Sequence, residues 1–321
     1  MLKTLGMAAA ALWLSTASWA QPVFQATKPL HIVAPSSPGG ILDQTSRLVA
    51  KSLSQVVKQP VIVDNHPGAG GTLGIQAMLR AEPDGHTLVM GSLGPNAANY
   101  TLQASLPYKP DDLAGVIHVL AMPNVVVVNP KLPVKNVAEL KAYAASNPKG
   151  VSMAVSTSGS SGHLAGAMLN QRAGIAAVEV VYKGAAPALQ DLMAGQVDYM
   201  VDNLITALPL IRSGKLRAIA VTPRERSPEL PDTPTLMELG YPDFDVSVWL
   251  GLFVSAKTPP ATVQALNAAL NQAFKDPDVQ KTVATQGGKV IGGSTQTFDA
   301  FVRAERARWA QIIKAGNIQV Q

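Results

Sequence analysis

Hydroxyl groups and glycines crowd two short segments, Ser36 to Asp43 and Ser156 to His163, and each runs from an apolar stretch into a segment of helical period. A helix N-terminus presents backbone N–H groups that no helical carbonyl accepts, at the positive end of the helix dipole. In the first segment Gly39 and Gly40 let a ligand approach that backbone, and Ser36 and Ser37 add hydroxyl donors. The chemistry such a turn supports is capture of an anion, either carboxylate or phosphate. Asp43 falls in the first helical turn, where its carboxylate is expected to hold the loop by accepting backbone N–H bonds.

The second segment, STSGSSGH, supplies Ser156, Ser158 and Ser160 ahead of His163. Three further loops follow apolar runs: Ser92 and Asn96 in GSLGPN, Lys183 and Gly184 in YKGA, and Asp202 beside Asn203. As capping residues, Ser92 and Asn96 would look the same as ligand contacts. Ser160 or Ser161 with His163 and Asp198 or Asp202 has the residue types of a hydrolase triad. Yet Gly159-Ser160-Ser161-Gly162 is not the Gly-x-Ser-x-Gly elbow, and a histidine so close along one helix rarely faces its own serine. PGAGGTLG at 67–74 misses a dinucleotide fingerprint, because its third glycine comes one residue late. The histidines show no metal-ligand spacing and no carboxylate pair is spaced as an acid–base couple, so no metal and no cofactor is expected.

These loops need strands and helices to hold them. Val- and Ile-rich runs alternate with helical stretches, giving strands at 29–35, 60–64, 86–91, 115–121, 124–129, 150–155, 178–183, 197–202 and 215–221. Helices are expected at 41–57, 70–82, 136–146, 161–173, 185–194, 205–212, 259–275 and about 295–315. Such alternation predicts an α/β protein with parallel sheets and right-handed crossovers. A single core is near its practical limit in a chain of 321 residues, which favours two lobes. Pro123 splits the apolar run 116–128 into two strand pieces, and FDVSVWLGLFVS at 244–255 is a second extended run. If both are connections between lobes, the chain forms a two-strand hinge with a ligand crevice at the carboxyl ends of the strands.

The formal net charge is +5, with lysines and arginines scattered and without interleaved aromatics, which argues against a nucleic-acid partner. Lys3, the apolar run Leu5 to Leu14 and the small residues of Ser18-Trp19-Ala20 read as an export signal cleaved near Ala20. With no cysteine for a lipid anchor or a disulfide, a soluble periplasmic protein is expected.

The chain resembles the extracytoplasmic solute receptors of the tripartite tricarboxylate transporter family, the Bug-type receptors. The resemblance rests on Pro38-Gly39-Gly40 with Asp43 and Arg47, Pro67 to Gly71, Asp84-Gly85 before Thr87-Leu88, and Gly159-Ser160 with His163-Leu164. It continues through Tyr182-Lys183-Gly184 with Pro187-Ala188, Asp191-Leu192, Gly195, Asp198, Gly214 to Arg217, Pro234-Thr235, Glu238, Gly240, Trp249, Gly251 and Thr258-Pro259. It implies a two-lobe, flytrap-like periplasmic binding fold, each lobe a mainly parallel sheet flanked by helices. Residues 21–122 with 245–321 would form lobe 1, and residues 123–244 lobe 2. It further implies a monomeric receptor that closes on a small carboxylate and presents it to membrane transporter subunits, or feeds a sensor. Ser36, Gly39, Gly40 and Asn96 would hold the ligand from lobe 1, and Ser156, Ser160, Gly184 and Asp202 from lobe 2.

Overall fold

The computed structural model describes residues 24–148 and 150–318, so the export signal expected at 1–20 lies outside the described residues. Elements follow the alternation expected of the sequence. The first part runs β1 (Leu30–Ala34), α1 (Ile41–Val57), β2 (Val61–Asn65), α2 (Thr72–Arg80), β3 (Thr87–Ser92) and the short α3 (Asn99–Leu102). The chain then enters one long strand, β4 (Leu113–Val128), followed by α4 (Val137–Ser146), β5 (Val151–Val155), α5 (Ser161–Ala173), β6 (Ala177–Val181), α6 (Ala185–Ala194), β7 (Tyr199–Asn203), α7 (Leu204–Arg212) and β8 (Arg217–Val221). It closes with β9 (Ser247–Ser255), α8 (Pro260–Ala273), α9 (Pro277–Thr285), β10 (Lys289–Gly292) and α10 (Thr295–Gly316).

Of the apolar stripe that predicts α1 (Ile41, Leu48, Val49, Leu53 and Val56), Val49 and Leu53 are buried and the other three half-buried, and Lys58 in a left-handed conformation ends the helix. The boundaries of α5 and α6 match those expected. In contrast, α9 and β10 went unpredicted, because VQKTVATQGGKVIGG is short, polar and glycine-broken.

β4 corrects the expectation of two strand pieces. Its first part, through Pro123, pairs antiparallel with β9, and β10 pairs with residues 118–121; its last part, from Asn124, pairs with β7 and β8. Pro123 is tolerated because the pairing with β10 stops at Ala121, opposite Lys289, and that with β7 starts at Asn124, opposite Asn203, so the proline falls where the neighbouring strand changes. One strand therefore belongs to two sheets. β2–β1–β3 and β6–β5–β7 are parallel, but β4 and β9 enter antiparallel, so each sheet is mixed rather than mainly parallel. A strand that returns from the opposite lobe must run against the strands that left it.

The second connection lies alongside β4. The Thr222 N–H donates to Asn124 O, and the Val246 N–H donates to Thr222 O. α10 packs over both sheets: the indole N–H groups of Trp249 and Trp309 donate to one oxygen of the buried Glu305, and Gln171 of α5 donates to Ala315 O. Apolar packing is continuous from Val33 and Val89 through Trp249 and Trp309 to Leu164 and Val201, so both sheets share a core on that side.

Candidate functional site

The predicted loops emerge at the carboxyl ends of β1, β2, β3, β5, β6 and β7. In the first, between β1 and α1, Asp43 is buried and organises the turn. It accepts from the Gly39 N–H at 2.9 Å, from the Asn65 amide at 3.0 Å, and pairs with Arg47 at 2.9 Å. Burial pushes the Asp43 pKa upward, but the bonds from Arg47, Gly39 and Asn65 outweigh it and hold the pKa below the ordinary aspartate value. The first helical bond runs from the Gln44 N–H to Gly40 O, so the amides of Ile41, Leu42 and Asp43 lie ahead of the helical ladder. Ser37 and Gly39 are exposed, and Gly40 is half-buried. Ser36 Oγ is buried without a hydrogen-bond partner among the described residues.

Prolines link this loop to its neighbours. Pro35 packs against Gly71 and Gly74 of the second loop, and Gly71 also meets Pro95 of the third. The third loop is a widened, π-type helical turn over Gly94–Ala98 that leads into α3. There the lobes touch: a Cβ placed on Gly94 would lie 3.0 Å from Gly159 O, and one on Gly159 would lie 3.1 Å from Asn99 Oδ1. The Asn99 amide donates to Gly70 O, which ties the second loop to the same contact. Sequence reasoning missed Asn99; its two-sided role depends on segments far away in the chain.

The fourth loop is braced from within. Ser160 caps α5 by accepting from the His163 N–H at 3.2 Å. His163 is buried and uses both ring nitrogens: Nδ1 accepts from the Gly159 N–H at 2.9 Å, and Nε2 lies 2.9 Å from a Glu179 oxygen, which fixes Nε2 as the donor. Placing His163 among the ligand contacts therefore needs correction, because no nitrogen is left over. The same geometry removes the hydrolase arrangement, since no imidazole nitrogen faces Ser160. Ser156 and Ser158 are half-buried on the loop itself.

Next to it, Ser161 Oγ donates to Asn124 Oδ1 at 3.2 Å, leaving Asn124 Nδ2 buried and unpartnered among the described residues. Asp202, one position along the neighbouring strand, accepts from the Thr206 hydroxyl at 2.6 Å through Oδ2, while Oδ1 has no such partner. Burial pushes its pKa up to about 6, against the opposing bonds from Thr206 and the Asn203 N–H. Asn124 and Ser161 were not singled out from sequence as ligand contacts; an asparagine inside a valine-rich strand was the available signal.

Not every predicted residue joins this group. Asn96 Oδ1 accepts from the Ser92 N–H at 3.0 Å, and the side chain lines a second cleft against α10 rather than facing the fourth loop. Asn96 therefore leaves the crevice set, because the π-type turn rotates it toward the sheet and Phe253. Lys183 is exposed, and Gly184 starts α6 with nothing packed over it. Among the described residues no cluster of histidines and acids could hold a metal ion, and no helix is long and apolar enough to cross a membrane.

Two mixed sheets joined through one strand, with loops from both gathered at their carboxyl edges, define a two-lobe α/β protein of the periplasmic binding type. The chain belongs to the tripartite tricarboxylate transporter receptor family, whose model matches residues 45–318. Protein BugT of Bordetella pertussis is 35% identical over 313 residues, spanning 96% of each chain. A Rhodopseudomonas palustris protein solved with adipate is 33% identical, with a TM-score of 0.86 over 91% of this chain and 98% of that one. MatC from Rhodopseudomonas palustris, solved with bound malate, is 33% identical, with a TM-score of 0.83 over 89% and 99%.

Proposed function

We propose that this chain is a periplasmic receptor, not an enzyme, that closes its two lobes over a small organic carboxylate and delivers it to membrane transporter subunits. The observation that carries the reading is the meeting of Gly94 and Gly159 across the lobes, beside polar atoms that lack partners on both sides. One ligand carboxylate docks at the amides of Ile41 and Leu42, with Ser36 Oγ alongside. The far end of the ligand meets Asn124 Nδ2, Asp202 and the Ser156 and Gly184 backbone. Asp43 and His163 shape the loops without touching the ligand. Each helix-end contact is worth about 0.3–2 kcal/mol, so micromolar binding requires several of them together with exclusion of water.

The crossings at Pro123–Asn124 and at Thr222–Val246 serve as the hinge, dividing residues 24–122 and 245–318 from residues 123–244. The carboxylates seen in the adipate and malate complexes of the relatives are the first to try. A thermal-shift screen against mono-, di- and tricarboxylates tests the reading. A ligand present at about 1,000 times its Kd adds roughly 4 kcal/mol of stability. Flat melting curves across the whole series overturn the proposal.

A further inference from the structure

Behind the third loop, at the end of β4 remote from Pro123, a cleft of about 150 Å³ opens between α10, Tyr100 and the start of β4. Its volume is roughly five times that of a water molecule in the liquid. Arg303 and Arg306 line one part of it, and Asp111 and Asp299 another. Asp299 stands four residues before Arg303 on α10, a spacing at which opposite charges ordinarily pair. Yet none of these four side chains is in an ion pair among the described residues. The Asp299 carboxylate accepts only the Gly115 N–H, at 3.2 Å, while the Arg306 guanidinium lies over the Tyr100 ring at 5.9 Å. Asn96, 2% exposed, lines the same cleft with an Nδ2 that has no hydrogen-bond partner among the described residues. Two guanidinium groups and two carboxylates thus line one small space beyond ion-pair distance of one another, with Arg303 and Arg306 still near enough to act on the Asp299 carboxyl.

We propose that this cleft is a second binding site, separate from the inter-lobe crevice, that takes a small zwitterion of the α-amino acid type. The carboxylate of such a ligand meets Arg303 and Arg306, and its ammonium meets Asp299 and Asp111. An anion alone would be set against two carboxylates, and a cation alone against two guanidinium groups; a zwitterion satisfies both walls. Glycine is the simplest zwitterion that a cleft of this volume holds within its walls.

Glycine titrated into the purified protein, with acetate and methylammonium as half-ligands, tests this by calorimetry and by backbone amide shifts in NMR. Glycine is expected to move the signals of Asn96, Gly115 and Arg303, and to bind at least about tenfold more tightly than either half-ligand. Arg303→Gln, at an exposed position, and Asp299→Asn, which keeps an acceptor for Gly115, should each weaken glycine about tenfold. Absence of heat and shifts with glycine overturns the proposal, as do shifts confined to residues 36–43 and 156–163. Acetate binding as tightly as glycine, with Asp299→Asn without effect, also overturns it, by making the cleft an anion site only.

Discussion

The β1–α1 and β5–α5 loops share a composition and differ in what they leave free. In the β1–α1 loop the bracing is done by side chains from outside the turn, Asp43, Asn65 and Arg47, while Ser37 and Gly39 stay exposed and the amides of Ile41 and Leu42 precede the helical ladder. The β5–α5 loop repeats one of these bonds, its Gly159 N–H being taken by His163 as the Gly39 N–H is by Asp43, but it also spends its own hydroxyl: Ser160 caps α5, whereas Gly40 at the start of α1 has no side chain to cap with. The buried carboxylates near the two loops diverge in the same way. Asp43 has partners for both oxygens and a lowered pKa, whereas Asp202 leaves Oδ1 without a partner among the described residues and has a pKa raised to about 6. Serine and glycine content marks where a chain can bind an anion, but the neighbours decide whether the donors remain available.

The largest effect is expected from the two helix starts. A Cβ on Gly162 would run into the backbone carbonyl of Val201, which cannot rotate away, whereas one on Gly40 would lie 3.3 Å from Ser37 O. Gly162→Ala should cost about 3 kcal/mol or more in urea unfolding, and Gly40→Ala less than about 1 kcal/mol. Equal losses would dissolve the distinction between a packed loop and an open one.

The two carboxylates give the next largest effect and opposite signs. Because the folded pKa of Asp202 is raised, the folded state holds that proton more tightly, and wild-type stability falls as pH climbs from about 4 to about 6. Asp202→Asn keeps an acceptor for Thr206 and should remove that fall, adding on the order of 2 kcal/mol above the window. Asp43, with its pKa lowered, stabilises the fold above the ordinary aspartate range and loses that contribution as pH drops through its folded pKa. Asp43→Asn should therefore cost about 1.5 kcal/mol at neutral pH and nothing in strong acid. Melting temperatures across pH would read both variants, and parallel curves would remove the contrast.

Smaller effects separate closure from folding. Gly94→Ala presses on Gly159 O across the lobes, so ligand affinity should fall about tenfold by calorimetry while ligand-free stability changes by less than about 0.5 kcal/mol. Smallest of all, Ser160→Ala should cost about 1 kcal/mol through the lost cap and leave ligand affinity intact. A large affinity loss there would return the Ser160 hydroxyl to the binding surface.

Much of the fold was legible in the sequence because its signals are local. The stripe that includes Val49 and Leu53 acts within a few residues, and α1, α5 and α6 came out at their expected boundaries. Pro123 misled because the cost of a missing N–H depends on whether a neighbouring strand is present at that point, which no local pattern records. The site was legible as a set of loops, less so as a set of atoms. Asn96 and His163 have the right residue types, but a π-type turn and the Glu179 carboxylate direct them elsewhere.

By itself the sequence determined the alternation of strands and helices, the placing of anion-suited turns at the strand ends, and the family. The first two follow from periodicity, glycine and helix ends, all of them near-neighbour effects; the family rests on the resemblance carried by motifs such as Pro38-Gly39-Gly40 and Tyr182-Lys183-Gly184 in their order along the chain. Only the tertiary structure decided that one strand serves both sheets, that Gly94 meets Gly159, and that Asn124 and Asp202 hold atoms without a partner among the described residues. Whether a polar group stays free is set by what packs against it from distant parts of the chain, and that packing forms only when both lobes are folded together.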